Sequence, residues 1–224
     1  SNIVLADEIN RATPKTQSAL LEAMQEHTVT SAGETYSLSE PFFVLATENP
    51  IEQDGTYQLP EAQSDRFMFK LIVTFPTRSE LIDIVNMTQK NPGENAAAVI
   101  TGEELLSMRE LSKEILVNSD ILDYTARLVS DTHPELKESP EYTHRYLRFG
   151  ASPRACQALI TAAKVRALIG GRFNISYDDI NALAKPVLRH RIKLSFAAVN
   201  DKLTTDDFIS ELIKLEMKKN DKKI

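Results

Sequence analysis

The sequence predicts an α/β region, part of a parallel sheet, followed by a small all-helical domain. Three observations carry this. Two short, wholly apolar runs, Ile3-Val4-Leu5-Ala6 and Phe42-Phe43-Val44-Leu45-Ala46, end abruptly at Asp7-Glu8 and at Thr47-Glu48-Asn49. Such runs fit strands buried on both faces of a parallel sheet. The composition then shifts at Pro76, and beyond the break Asn91-Pro92-Gly93-Glu94-Asn95 the apolar spacing is helical.

The elements follow in order. Thr13-Pro14 supplies an N-cap and a proline at the first helical position. Leu20, Leu21 and Met24 continue that helix to about His27. Thr28-Val29-Thr30 and Thr35-Tyr36-Ser37-Leu38 flank Ser31-Ala32-Gly33-Glu34, which reads as a hairpin over 28–38. Pro41 breaks the chain before the strand over 42–46. Residues 51–60 read as a loop, 69–75 as a third strand, and Leu81, Ile82 and Val85 as a helix to about Lys90. Helices are expected over 101–117, 120–132, 152–170, 177–189 and 204–218, with a long loop across 133–150. The division is 1–75 for the sheet region and its hairpin, 76–97 for a linker helix and loop, and 98–224 for the helical domain.

Bulk properties narrow the function. The chain has 224 residues, 42% hydrophobic and 26% charged, the composition of a soluble globular protein with one large or two small domains. A chain of this length buries enough surface to fold without a disulfide or metal staple. Its net charge of −6 argues against a dedicated nucleic-acid coat, which needs a positive face. The one cysteine, Cys156, excludes an internal disulfide and a cysteine-rich zinc site, and fits a reducing, cytoplasmic setting. No apolar run reaches the roughly 18 residues of a membrane helix. The N-terminus lacks the basic and apolar regions of a signal peptide. Because the chain starts without Met inside a strand-like run, it is expected to be a fragment of a longer protein.

Four places carry chemistry. Ligands of α/β sheets sit at the carboxyl ends of strands. At the first such end, Asp7 can hold Mg²⁺ through water, and Glu8 can polarise an attacking water as a general base. Four apolar residues followed by Asp-Glu form a Walker B pattern; the alternative is a strand simply re-entering water. At the second end, the Asn49 amide can orient water or bond a phosphate, or Asn49-Pro50 can be turn chemistry. Arg66 can be a surface residue paired with Asp65, or an arginine finger acting on a neighbouring subunit. Arg154 follows the cap Ser152 and Pro153 into a first helical turn, where a cation opposes the helix dipole. An anionic ligand or an acidic neighbour should therefore stand beside it.

Together these residues carry a resemblance. Leu5-Ala6-Asp7-Glu8-Ile9-Asn10-Arg11-Ala12, Ser18-Ala19-Leu20-Leu21-Glu22-Ala23-Met24 and Ala46-Thr47-Glu48-Asn49-Pro50 look like segments of the MoxR group of AAA+ ATPases. So do Gly55-Thr56-Tyr57, Leu59-Pro60-Glu61-Ala62-Gln63 and Asp65-Arg66-Phe67, while Gly150-Ala151-Ser152-Pro153-Arg154 resembles the group's sensor 2 motif. The resemblance covers almost the whole chain and is densest over 3–75.

It implies a P-loop NTPase-type AAA+ core lacking its first strands, followed by a helical lid. It implies ATP and Mg²⁺ as cofactors, with Asp7 at the magnesium, Glu8 as catalytic base, Asn49 as sensor 1, Arg66 as a finger acting in trans and Arg154 as sensor 2. The hairpin would be the pre-sensor-1 insertion facing the pore of a ring, expected to be a hexamer. The implied activity is ATP hydrolysis driving chaperone-like remodelling in protein maturation or cofactor and metal insertion. The implied partners are a protein client and a von Willebrand factor A domain protein. The roles of Asn10 and Arg11 stay open. Two other readings also stay open: a magnesium-chelatase or helicase-type motor, and a catalytically dead interaction module.

One part of the pattern is missing. The phosphate loop, G-x-x-x-x-G-K-[ST], is not in this sequence, and Gly170-Gly171-Arg172-Phe173 fails the pattern and reads as a helix end. The chain carries the water-activating half of a nucleotide site without the phosphate-cradling half, and is expected to be inactive alone. The basic runs Lys185, Arg189, His190, Arg191, Lys193 and Lys218, Lys219, Lys222, Lys223 read as a helix C-terminus and a solvated tail. The four histidines show no metal-ligand spacing. Tyr142, Tyr146 and Phe149 read as packing residues.

Overall fold

A computed structural model describes residues 2–49, 57, 59–89 and 97–221 of the chain. Pro50, most of the loop read over 51–60 with its Gly55-Thr56, Lys90, the break at 91–95, and Lys222 and Lys223 lie outside the described residues.

Strand β1 (Ile3–Ala6) leads through a 3-10 turn, Ile9–Arg11, to helix α1 (Pro14–Glu26). The Thr13 hydroxyl accepts the Thr16 N–H, Pro14 takes the first helical position, and His27 at φ +53° closes the helix onto the Ala23 carbonyl. Strands β2 (Thr28–Ser31) and β3 (Glu34–Ser37) pair antiparallel around Ala32-Gly33. Both turn residues have positive φ, +52° and +85°, as the tightest right-twisting hairpins require. The Leu38 N–H donates to the His27 carbonyl at 2.8 Å and ties the hairpin base to the end of α1. Strand β4 (Phe43–Ala46) then returns parallel to β1, with Ile3 opposite Phe43 and Ala6 opposite Ala46.

Two expectations fail here. The two strands are not buried on both faces: Ile3, Leu5, Phe43 and Leu45 share one exposed face, while Val4, Ala6, Val44 and Ala46 are half-buried. Their sequences are apolar on both sides of the pleat, but the described residues cover only one. The strand expected over 69–75 is also absent. A strand exists through hydrogen bonds to a neighbour, and here the Lys70 N–H donates instead to the Pro186 carbonyl at 2.8 Å. Residues 69–77 run without regular structure, and Val73 is 94% exposed.

Short helix α2 (Glu61–Ser64) and helix α3 (Arg78–Gln89) precede the helical region. There α4 (Gly102–Lys113), α5 (Ser119–Ser130), α7 (Pro153–Ile169), α8 (Tyr177–Leu188) and α10 (Thr205–Asp221) match the periodicity, with α6 (Glu141–Tyr146) between α5 and α7. The expected loop over 133–150 is thus partly regular, because it contains α6 and strand β5 (Leu147–Phe149). Strand β5 pairs antiparallel with β6 (Lys193–Leu194), which leads into α9 (Phe196–Asn200). Six, three, two and five residues are too few to show a period.

The core lies in this helical region. Tyr124 and Leu128 of α5, Leu159 and Ala163 of α7, Ile180 and Leu188 of α8, and Phe208, Ile209 and Leu212 of α10 are fully buried together. Each large apolar side chain removed from water contributes roughly 1.5–3 kcal/mol. The small residues Ala155, Ala163 and Ala167 on α7 allow close approach to its neighbours. Tyr142 stacks on Phe208 at 5.2 Å and meets Tyr146 edge-on, which fits their reading as packing residues; Phe149 is 47% exposed and does not.

Several charged groups in this region are paired. Helix α7 stops at Gly170-Gly171, where Gly171 takes φ +67°, and the next residue, Arg172, forks onto Asp179 at 2.6 and 2.7 Å. With Ser176 and Arg166 also bonded to it, that carboxyl is held far below the ordinary carboxylate range. In α10, buried Glu216 accepts from Arg127 and pairs with Lys219. Burial and a hydrogen bond to Glu216 push Asp131 up to about 6.

Candidate functional site

The parallel register places the residue after Ala6 beside the residue after Ala46. The Thr47 hydroxyl donates to Asp7 Oδ1 at 2.5 Å and accepts the Glu8 N–H at 2.8 Å. The Thr47 N–H donates to the Ala6 carbonyl, and the Ile9 N–H to the Thr47 carbonyl. Glu8 sits at φ +49°, a left-handed conformation uncommon outside glycine and found where a site over-determines the backbone. Its carboxylate meets Arg11 Nε at 3.1 Å. Asn10 Nδ2 donates to the Asn49 carbonyl at 3.4 Å, while Asn10 Oδ1 is buried without a hydrogen-bond partner among the described residues. Asp7, Glu8 and Asn49 therefore gather at one end of the β1–β4 pair. Gln17, buried in α1, secures this end from below by donating to the Ile9 and Tyr57 carbonyls.

The donor set at this end suits a particular ion. Among the described residues no group of three or more His, Cys, Asp or Glu is placed to hold a metal. One carboxylate beside a hydroxyl fits Mg²⁺, which keeps most of its waters and takes its other ligands from phosphates.

The two arginines form a second group. Arg66, just past α2, donates from Nη1 to the Leu21 carbonyl of α1 at 3.2 Å. Arg154, in the first turn of α7, has its Nη1 3.8 Å from Asp65 Oδ2. The acidic neighbour that its position calls for is thus Asp65. Arg66 and Arg154 together line a shallow depression of about 200 Å³ with Met24 and Gln25. Leu21, which holds Arg66, lies one turn along α1 from Gln17, about 6 Å. The arginines thus sit at the far half of α1, a turn or more from the helix residue that secures the strand-end group.

The sequence reading missed the roles of four residues of this region. Thr47 bridges Asp7 and Glu8. Asp65 faces the helical region, where Ser152 Oγ donates to it at 2.7 Å and Arg191 Nε at 2.9 Å. Arg191 and His190 are not solvated end-of-helix cations: the Arg191 side chain is 2% exposed, and His190 Nε2 donates to the Phe67 carbonyl at 2.9 Å. Gly150 is needed nearby, since a Cβ there would lie 2.7 Å from the Thr132 carbonyl oxygen and 2.8 Å from the His133 ring.

Burial, then the adjacent Arg191 charge, pushes His190 down to about 4. Because its folded value lies below the unfolded value of about 6.5, His190 favours folding above that pH, and the advantage is lost as pH falls toward 4. The stability advantage of wild type over His190→Gln should shrink by about 2–3 kcal/mol between pH 6.5 and 4 in denaturant titrations. A constant difference across that window would show that His190 does not titrate there.

Comparison with known proteins bears on the fold. Residues 1–69 match the family described as "ATPase family associated with various cellular activities (AAA)", and residues 140–212 match the AAA lid domain. The architecture is that of an AAA+ α/β core followed by its lid. The chain is 40% identical to YeaC of Bacillus subtilis, over 95% of this chain and 64% of YeaC. It is 39% identical to the chaperone MoxR1 of Mycobacterium tuberculosis, over 95% of this chain and 56% of MoxR1. A crystal structure of a candidate ATPase from Cytophaga hutchinsonii superimposes with a TM-score of 0.88 at 36% identity, over 96% of this chain and 65% of that one. MoxR-type AAA+ ATPases are thus homologues of this chain, which spans roughly three-fifths of the length of these relatives.

Proposed function

We propose that the protein containing this chain hydrolyses ATP with Mg²⁺ between subunits of a ring, and uses the cycle to remodel client proteins. The observation that carries the reading is the strand-end cluster: two parallel strands present Asp7, Glu8 and Asn49 at one end, cross-linked by Thr47. Asp7 would hold Mg²⁺ through water, and the ion when bound would neutralise phosphate charge. Glu8 would take the proton of the attacking water at its carboxylate, with Arg11 holding that carboxylate in place. Asn49 would orient the same water. Arg66 and Arg154 present two cations from one depression, an arrangement suited to the charge on a transferring phosphoryl group. The distance of Arg66 along α1 from the strand-end group supports its action on the site of a neighbouring subunit, with Arg154 as sensor 2, reaching from the lid to the phosphates. The exposed β2–β3 hairpin is available to face the pore.

The relative named a chaperone supports the remodelling role; action in protein maturation or in cofactor and metal insertion, a von Willebrand factor A domain partner and a cytoplasmic setting are carried by the sequence resemblance alone. Phosphate release from ATP by the full-length protein tests the reading. Mg²⁺-dependent turnover that DNA does not stimulate supports it. DNA stimulation would move the protein to the helicase-type motors, and absence of turnover would leave an interaction module.

A further inference from the structure

We propose that Arg191 is a positioning residue that locks Arg66 and Arg154 to each other, so that both cations meet a phosphate as one unit. The inference rests on the roles given to those two arginines above. Its basis is where the Arg191 guanidinium spends its donors. Nε donates to Asp65 Oδ1 at 2.9 Å, and Nη2 donates to the Asp65 and Phe67 carbonyls at 3.0 and 2.8 Å. Nη1 donates to the Met68 and Val187 carbonyls at 3.2 and 2.5 Å. An arginine has five N–H donors, and all are accounted for. The backbone is thus gripped on both sides of Arg66, at residues 65 and 67, by one buried fork.

The other oxygen of Asp65 carries the constraint onward. Oδ2 accepts from Ser152 Oγ, the cap of the helix whose first turn holds Arg154, and that hydroxyl also accepts the Arg154 N–H at 3.2 Å. Arg66 and Arg154 are therefore each one link from Asp65, and Asp65 is fixed by Arg191. His190 to the Phe67 carbonyl and Arg189 to the Lys70 carbonyl extend the grip along the same segment. Gluing α8 to this segment needs no charge, and burying a guanidinium is costly. A planar fork that fixes two carbonyls and a carboxylate around a working arginine is what such a cost secures, because sub-ångström placement sets the rate of a positioned reaction.

The test is a double-mutant cycle on steady-state ATP hydrolysis by the full-length protein. Arg191→Lys keeps the charge and loses the fork. We expect kcat to fall on the order of 10- to 100-fold with KM for ATP within about twofold. In an Arg66→Ala background, adding Arg191→Lys should lower kcat far less than it does alone, because one of the two cations it positions as a unit is gone. A loss that multiplies with that of Arg66→Ala, or wild-type kcat for Arg191→Lys beside an impaired Arg66→Ala, overturns the proposal while leaving the arginine roles intact. Wild-type turnover in both Arg66→Ala and Arg154→Ala removes the roles themselves, and the proposal with them. If Arg191→Lys does not fold, Asp65→Asn enters the same cycle; failure of both to fold makes the contact a structural staple and overturns the inference.

Discussion

Glu8→Gln in the full-length protein is expected to stop ATP turnover while leaving ATP binding intact. The substitution keeps the shape and removes the carboxylate that would accept the water proton. It leaves the backbone arrangement alone, since the Glu8 N–H bond to Thr47 is a main-chain donor. It also leaves Asp7 and its bond from Thr47 in place. A lost general base costs about 10²–10⁴-fold in rate. The measurement pairs phosphate release with equilibrium binding of a fluorescent ATP analogue. Turnover within a few-fold of wild type would remove the base assignment, and loss of binding would show that Glu8 holds nucleotide rather than water.

Arg66→Ala should have an effect at least as large, about 10³–10⁵-fold, the range over which arginine fingers act. Its cost to stability should be small, because the side chain is largely exposed and its bond to the Leu21 carbonyl is a single peripheral contact. The informative version mixes subunits. Arg66→Ala subunits keep Glu8, and Glu8→Gln subunits keep Arg66. If the finger works in trans, mixing two dead proteins creates interfaces with both groups intact, and turnover returns. If no ratio restores activity, Arg66 acts within its own subunit or not at all.

How much of this was legible beforehand differed by residue. The strands, α1 with its Thr13 cap, the hairpin and the long helices follow from local signals: period, caps and a Gly-bearing turn. The strand-end residues follow from position at the carboxyl end of apolar runs. Thr47 was not legible, because its role depends on the register of β1 against β4, separated by about 40 residues. Residues 69–75 misled, since their apolar β-branched composition is that of a strand while their backbone pairs with the helical region instead. Arg191 misled in the opposite direction. A cation after a helix end is usually solvated, and only the fold brings a segment more than 120 positions away to bury it.

The grip on that segment is one-sided in chemistry. On the helical side it consists of particular side chains: Arg189, His190 and Arg191. On the other side, apart from Asp65, it consists of carbonyl oxygens that every amino acid possesses. Diverging descendants of this protein can therefore exchange the side chains at 67, 68 and 70 without loosening this hold, while replacements at 189–191 loosen it at once. Paired substitutions across the contact are expected at one place alone, between Asp65 and Arg191, and an alignment of relatives would show a tolerant strip facing an intolerant one.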